Sequence, residues 1–187
     1  MKTLAAFVLG IVVTLAVLLL GGYLTVTQGW IAPSADSKAP RMERWAANTS
    51  LHATFKRLPA QQNPLAANDQ TLIAGIKLYA QNCAVCHGDA SAKATATADG
   101  MYIRAPQLAE DGVEDDPDQV TFWKIAHGYR WTGMPAFSRT LNQTQMWQLT
   151  AFLKTMDRLP PAAEREWRQV HALGAIAPPR PRPPGRR

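Results

Sequence analysis

The chain is poor in cysteine: it has two among 187 residues, and both lie within residues 83–86. So few cysteines exclude a disulfide framework, and a structural zinc site would need a second pair of Cys or His ligands that the chain lacks. A glycine-rich phosphate loop and a paired base and nucleophile are also missing, which argues against an enzyme. The sequence has no internal repeat, and no segment has the alternating pattern of a β-strand. These absences leave an all-α protein as the predicted fold class.

Charged residues are absent from residues 3–27, which are mostly aliphatic. About 20 apolar residues in a helix cross the hydrocarbon core of a bilayer, so we predict a transmembrane anchor in residues 1–28. A cleaved secretory signal is the alternative, but its apolar region is usually about 7–15 residues long, and Pro33 stands at a poor position for cleavage. The run has no cysteine near its end, which excludes a lipoprotein anchor.

The net charge of +6 is unevenly distributed along the chain. Residues 69–158 hold 8 basic and 10 acidic side chains, whereas the flanking segments hold 12 basic and 4 acidic ones. The basic excess therefore belongs to the flanks and not to a compact nucleic-acid-binding face, so we predict no nucleic-acid partner. Basic flanks close to a membrane are attracted to anionic lipid, so we predict the membrane as a neighbour.

Composition divides the part after the anchor into three predicted segments. Residues 29–68 form a linker that carries one helix, which Pro59 terminates. Residues 69–158 form the compact domain. Residues 159–187 form a C-terminal extension with one short helix and a Pro/Arg-rich tail, which its composition predicts to be disordered.

Three helices are predicted in the compact domain, over residues 69–82, 116–128 and from Asn142 onward. Asp116 is the predicted N-cap of the second helix, and Asn142 with Gln145 resembles a capping box at the start of the third. The third helix has an apolar stripe at helical spacing. A domain of about 90 residues with three helices is marginal on hydrophobic burial alone. A large apolar cofactor at its centre would supply the missing contacts.

The sequence Cys83-Ala84-Val85-Cys86-His87 matches the pattern C-x-x-C-H, which is typical of covalent haem attachment. Two cysteines at this spacing near a helix end can each add to one vinyl group of the same porphyrin. His87 follows the second thioether directly and is then placed under the ring as the proximal ligand to iron. We therefore predict one covalent haem c.

Two other interpretations of the two cysteines are weaker. A thioredoxin-like motif opens a helix in a β-rich fold, whereas this motif closes a helix in an all-α chain. A disulfide between residues so close in sequence would stabilise the fold little, because the closed loop is short. Haem attachment of this kind takes place outside the bacterial cytoplasmic membrane, which agrees with a single span near the N-terminus.

The second axial ligand has several candidates, of which Met134 is favoured. It lies between two predicted helices, where Gly133 allows the backbone to approach a flat cofactor and Pro135 stiffens the loop. Met146 and Met156 lie on the apolar stripe of the last helix, where packing is the expected role. The other candidates are a methionine in a loop, a histidine at a helix end, and three residues in the extensions: Met101, His127, Met42, His52 and His171.

Taken in order, these motifs resemble class I cytochrome c over residues 69–158. The resemblance rests on a helix with Gly75 and Tyr79, the CAVCHG motif, and three later segments: Ala105–Leu108, GMPAF and the amphipathic helix. It implies an all-α cytochrome c fold, with three main helices around one covalent haem.

The resemblance also implies specific contacts. The first and last helices should cross, with Gly75 and Tyr79 meeting Leu149 and Phe152. The carbonyl of Pro106 should accept the proximal imidazole N–H of His87.

Arg130 and Trp131 precede the Met134 loop, where they look placed to contact a haem propionate. The alternatives are an ordinary surface charge for Arg130 and a core aromatic for Trp131.

The predicted function is single-electron transfer by a membrane-anchored cytochrome in the periplasm, with its N-terminus in the cytoplasm. Counting Lys38, Arg41 and Arg44 after the span would by itself favour the reverse orientation, but haem attachment requires export. The expected partners are an electron donor and an acceptor, within or beside a respiratory complex or a dehydrogenase. A haem sensor or peroxidase-like enzyme in which Met134 dissociates is one alternative, and a subunit with a purely structural haem is another.

Overall fold

The computed structural model describes residues 2–31 and 33–171. The chain divides into two compact units, Met1–Ser37 and Lys38–Arg187. The Pro/Arg-rich tail predicted for residues 178–187 lies outside the described residues.

The first unit is dominated by helix α1 (Lys2–Thr27), whose apolar side chains are exposed along its whole length. By its length and composition this helix could cross a membrane. A signal sequence near the N-terminus can meet the same two criteria. Three threonine hydroxyls donate to carbonyls four residues earlier, so these polar groups are satisfied within the helix as a lipid environment requires. They are Thr14, Thr25 and Thr27.

In the second unit, the regular elements of the described residues are all helical, which confirms the all-α prediction. Two short 3₁₀ turns, Phe137–Arg139 and Met156–Arg158, accompany the α-helices. The α-helices are α2 (Arg41–Phe55), α3 (Asp69–Asn82), α4 (Ala84–His87), α5 (Ala96–Asp99), α6 (Asp118–His127), α7 (Gln143–Lys154) and α8 (Pro161–Trp167).

Side-chain caps fix the starts of two of the predicted helices. The side chain of Asn68 accepts a hydrogen bond from the backbone of Thr71 at the start of α3. At the start of α7, Asn142 and Gln145 form a complete capping box, each side chain accepting from the other residue's backbone N–H. Both helices begin where the sequence predicts them.

The predicted N-cap of the second helix was wrong by one residue. Helix α6 begins at Asp118, and its N-cap position holds Pro117 without a side-chain hydrogen bond. The Asp116 carboxylate accepts from the ammonium group of Lys124, and the Asp116 carbonyl accepts from Lys154. Because these lysines hold Asp116, its side chain does not cap the helix.

The first and last helices of the domain cross in close contact, as the resemblance implies. At the crossing, a Cβ atom on Gly75 would lie 2.3 Å from the carbonyl oxygen of Gln148 and 2.9 Å from the Cβ of Phe152. The absence of a side chain at Gly75 therefore sets the distance between the α3 and α7 backbones.

Three aromatic rings fill the core beside this crossing. The ring of Tyr79 lies 5.4 Å from that of Phe152 and 5.3 Å from that of Trp167, and the last two are 5.1 Å apart. All three pairs meet edge to face, a favourable geometry for aromatic side chains. Trp167 comes from α8, in the predicted C-terminal extension, and only 4% of its surface is exposed. Helix α8 therefore completes the core.

Replacing Gly75 with alanine is expected to destabilise the domain by about 1–3 kcal/mol, because the added methyl group meets the backbone of α7. Urea unfolding of the detergent-solubilised holoprotein would measure the loss. The control is Gly100→Ala, where the nearest atoms lie at an ordinary 3.6 Å. Equal stability of the two variants would show that the helices separate at no cost.

Within the second unit, the predicted linker segment is fixed to the domain at three points. Phe55 at the end of α2 packs edge to face against Trp123, at 5.4 Å between ring centroids. Near the start of α2, Glu43 accepts a hydrogen bond of 2.9 Å from the hydroxyl of Tyr102. Asn63 bonds through its backbone N–H to Asp118 and through its side-chain amide to the carbonyl of Trp147. Helix α2 is therefore held against the domain.

Candidate haem site

The C-x-x-C-H motif forms a single tight turn directly after α3. Cys83 is the C-cap of α3, and its carbonyl accepts hydrogen bonds from the backbone of Cys86 and His87, at 3.0 and 2.9 Å. Gly88 ends α4 with a φ of +77°, a value that favours glycine. The two cysteines and the histidine thus share one helical turn, the arrangement that attachment to a single porphyrin requires.

The imidazole of His87 is oriented by a backbone carbonyl. Its Nδ1 lies 2.9 Å from the oxygen of Pro106, the contact that the resemblance implies. If Nδ1 donates this hydrogen bond, Nε2 has its lone pair free for a metal. Burial lowers the pKa of His87, and the Pro106 carbonyl opposes this shift. The ring is therefore neutral near pH 7, which is the form that binds iron.

The segment after Pro106 is bonded to the same motif. The backbone N–H of Leu108 donates to the carbonyl of His87, and the side-chain amide of Gln107 donates to the carbonyl of Cys86, both at 3.2 Å. The contact from Gln107 was not predicted, because a single glutamine in a loop has no recognisable pattern. These bonds hold the Pro106 carbonyl in place beside the ring.

The environment of the two thiols argues against a redox-active or zinc-binding pair. Burial raises the pKa of Cys83 to about 12, with a contribution from Cys86, and burial also raises the pKa of Cys86. A redox-active cysteine needs a lowered pKa. The two cysteines are not joined by a disulfide, and in the described part of the chain no group of three His, Cys, Asp or Glu side chains could hold a metal.

Tyr79 connects the helical core to the motif, a role that was not predicted for its hydroxyl group. This hydroxyl lies 2.9 Å from the carbonyl oxygen of Gly88 and 3.2 Å from that of His87. Burial raises its pKa, so it stays protonated and can donate. The position of His87 is therefore coupled to the crossing of α3 and α7.

The loop that carries Met134 turns back onto the end of α6. Gly128 ends α6 with a φ of +61°, and a Cβ there would lie 2.4 Å from the carbonyl oxygen of Met134. The backbone of Tyr129 donates to that same oxygen, and the backbone of Met134 donates to the hydroxyl of Thr132. Met134 is half-buried in a loop with defined internal hydrogen bonds.

The other candidate ligands occupy different surroundings. Met146 and Met156 are buried in the core, where packing was expected. The ring of His127 is exposed and lies 5.0 Å from that of Trp123. Met101 packs against the Met134 loop: a Cβ on Gly133 would lie 2.8 Å from its terminal methyl group. The three in the extensions, Met42, His52 and His171, are exposed.

Arg130 and Trp131 are both exposed, next to the Met134 loop. Trp131 is 80% exposed and has a φ of +67°, which is rare for a residue with a side chain. The core-aromatic alternative for Trp131 is therefore wrong. Contact of these two side chains with a haem propionate stays a prediction.

The distribution of exposed apolar side chains fits a flat apolar cofactor. Among the described residues of 69–171, the large exposed hydrophobic side chains are Val85, Ile103 and Trp131. Val85 lies in the C-x-x-C-H turn, Ile103 lies between this turn and the Met134 loop in sequence, and Trp131 directly precedes that loop. A porphyrin held by these segments would provide the apolar contacts that the three side chains lack. The chemistry of these residues also fits haem c: two thiols are available for attachment to the porphyrin, and an oriented imidazole and a thioether are available as iron ligands.

A protein family described as "Cytochrome C oxidase, cbb3-type, subunit III" matches residues 70–153. Residues 70–153 are a cytochrome c domain. The domain contains the C-x-x-C-H turn, Pro106 and the Met134 loop, and it is consistent with class I cytochromes c, as the motifs indicate. Helix α8 lies beyond the matched residues. No curated protein and no solved structure matches the chain.

Proposed function

We propose that the protein carries single electrons through one haem c, attached by Cys83 and Cys86, with His87 and Met134 as axial ligands. We further propose that α1 anchors it in a bacterial inner membrane, with the N-terminus in the cytoplasm and the cytochrome domain in the periplasm. Export is supported by the chemistry of haem attachment, and anchoring by the length and composition of α1.

The observation that carries this proposal is the hydrogen bond from His87 to Pro106 within a cytochrome c domain. It fixes the ring by one nitrogen and leaves the other for iron. In the same domain, Cys83, Cys86 and this histidine share one hydrogen-bonded turn. A chain that only stored or transported haem would need no such fixed imidazole.

When bound, haem supplies a one-electron couple between ferric and ferrous iron. The chain's residues determine how that couple is used. The thioether of Met134 is a soft ligand that favours ferrous iron, and the apolar surroundings disfavour the additional ferric charge, so both raise the reduction potential. If His87 and Met134 both bound the iron, no open position would remain for a substrate, which would favour electron transfer over catalysis at the iron.

A fixed redox partner is part of the proposal. The description of the matched family names a subunit of an oxidase. This supports placing the protein within or beside a respiratory complex or a dehydrogenase. Helix α2, which is held against the domain, and α8, which completes it, also fit an assembled subunit better than a freely diffusing carrier. Gentle detergent extraction followed by identification of co-purifying subunits would test for this partner.

Replacing Met134 with alanine tests the axial ligand. We expect the ferric holoprotein to lose its methionine-to-iron charge-transfer band and the ferrous form to bind carbon monoxide. The reduction potential should fall by on the order of 0.1 V, because the soft ligand is gone. Absorption spectroscopy and potentiometric titration of the purified protein measure both effects.

The matched control is Met101→Ala, which removes the methionine beside the same loop. It should keep the charge-transfer band. If Met101→Ala removes the band and Met134→Ala does not, the assignment of the ligand is wrong. If the unaltered ferrous protein binds carbon monoxide without denaturant, the sensor or peroxidase alternative gains support and the carrier proposal fails.

A further inference from the structure

Helix α2 has one side that contacts the domain. At 3.6 residues per turn, Glu43, Leu51 and Phe55 lie within about 120° of one another around the helix axis. Glu43 accepts the hydrogen bond from Tyr102, and Phe55 packs on Trp123. Leu51 on the same side is half-buried.

The opposite side of α2 combines exposed apolar and basic side chains. We call it the outer face of α2, and it consists of Arg41, Met42, Trp45, Thr49, His52 and Lys56, which lie within about 100° around the axis. Met42 is 74% exposed and Trp45 is 65% exposed. Water is an unfavourable environment for two large apolar side chains on one helix face, so this face is suited to an apolar or interfacial partner.

The charge of this region favours an anionic partner. Residues 38–57 contain five basic side chains and one acidic side chain. That one acid, Glu43, lies on the domain side of the helix and is bonded to Tyr102. The outer face itself is therefore purely basic where it is charged.

The chain also keeps α2 near the predicted anchor. Thirteen residues separate Thr27, at the end of α1, from Arg41, at the start of α2. Even when fully extended, the segment from Thr27 to Arg41 spans at most about 50 Å. If α1 crosses a membrane, α2 is thus always within reach of that membrane's surface.

We propose that the outer face of α2 binds the anionic surface of the membrane that α1 spans. Trp45 and Met42 enter the headgroup region, where tryptophan is favoured, and Arg41 and Lys56 contact lipid phosphates. The inference rests on the anchor in the proposed function. Because Glu43 and Phe55 fix α2 to the domain, this contact would hold one side of the cytochrome domain at the membrane.

A spin label on the outer face tests the proposal directly. In the holoprotein both native cysteines carry haem, so Thr49→Cys supplies a unique thiol on this face. Ser50→Cys is the matched control, since Ser50 is exposed and lies about 100° around the axis from Thr49, away from the outer face. The full-length holoprotein is placed in vesicles of phosphatidylcholine, with or without phosphatidylglycerol. Collisions of the label with oxygen and with a water-soluble nickel chelate are then measured.

In the vesicles with phosphatidylglycerol, the label at position 49 should be shielded from the nickel chelate and accessible to oxygen, whereas the label at position 50 should stay accessible to the chelate. Each basic residue near an anionic surface strengthens binding about fivefold. Introducing Arg41→Gln and Lys56→Gln into the Thr49→Cys protein should therefore shift the equilibrium between membrane-bound and free α2 about 25-fold toward the free state.

Three outcomes would overturn the inference. Equal exposure of the two labels in anionic vesicles would show that the face does not bind lipid. Shielding of position 49 that appears only when a partner oxidoreductase is added would assign the face to a protein. If the chain leaves the vesicles on alkaline carbonate washing, the anchor itself is wrong and the inference fails with it, whereas the first two outcomes leave the anchor intact.

Discussion

Replacing both Cys83 and Cys86 with alanine is expected to give a colourless chain that keeps its helical core and loses order around the cofactor site. The core of α3, α7 and α8 packs through its own side chains, including Tyr79 and Phe152, which are fully buried. The segment from residue 88 to residue 117 has only the four-residue helix α5 and depends on contacts with its surroundings. Without haem, these contacts are too few to offset the conformational entropy of the segment.

Hydrogen exchange of the purified chain would measure this difference by segment. Amides in residues 88–117 and in the Met134 loop should exchange at least about 100-fold faster than in the holoprotein, because local opening then costs little free energy. Amides in α3 and α7 should keep most of their protection. Lys77→Ala is the control, since it changes an exposed residue of α3 and leaves both cysteines in place. Unchanged exchange in the double variant would contradict a structural role for haem.

Replacing Trp167 with alanine is expected to destabilise the domain by about 3–5 kcal/mol, the usual cost of removing a buried tryptophan. This is a large share of the stability of a small domain. The indole is almost fully buried and meets both Tyr79 and Phe152 edge to face. The loss would also loosen Tyr79, whose hydroxyl lies within hydrogen-bonding distance of the carbonyls of His87 and Gly88.

Urea unfolding of the solubilised holoprotein, followed by helical circular dichroism, checks this expectation. Trp45→Ala is the control, because this tryptophan is exposed and surface substitutions usually change stability by less than about 0.5 kcal/mol. Should Trp167→Ala unfold at the same urea concentration as the control, α8 would be an appendage and not part of the core.

Much of the fold could be predicted from local patterns. The sequence predicts both the start and the length of the helix over residues 69–82, and the Asn142–Gln145 capping box forms as predicted. These features depend on near neighbours in the chain. The start of α6 does not, because Asp116 is held by Lys124 and Lys154, and a contact between distant residues outweighs the capping preference.

The candidate site divides in the same way. The C-x-x-C-H turn is local, so the sequence predicts it well, and the resemblance supplied the contact between His87 and Pro106. The position of Met101 beside Gly133 and the hydrogen bonds of Gln107 come from loops without periodicity. Sequence patterns carry no signal for such contacts, which arise only when residues far apart in the chain are brought together.

The place of α8 at the end of the domain has a consequence for biosynthesis. Chains are made from the N-terminus at about 5–20 residues per second, so Trp167 is added roughly 4–16 seconds after His87, which lies 80 residues earlier. Until residue 152 is added, the ring of Tyr79 lacks both of its aromatic neighbours, Phe152 and Trp167, and it lacks Trp167 until the end of the interval. The newly made cysteine motif is consequently less tightly held than in the finished protein, and this is the period when an enzyme that joins haem to it would meet the least resistance.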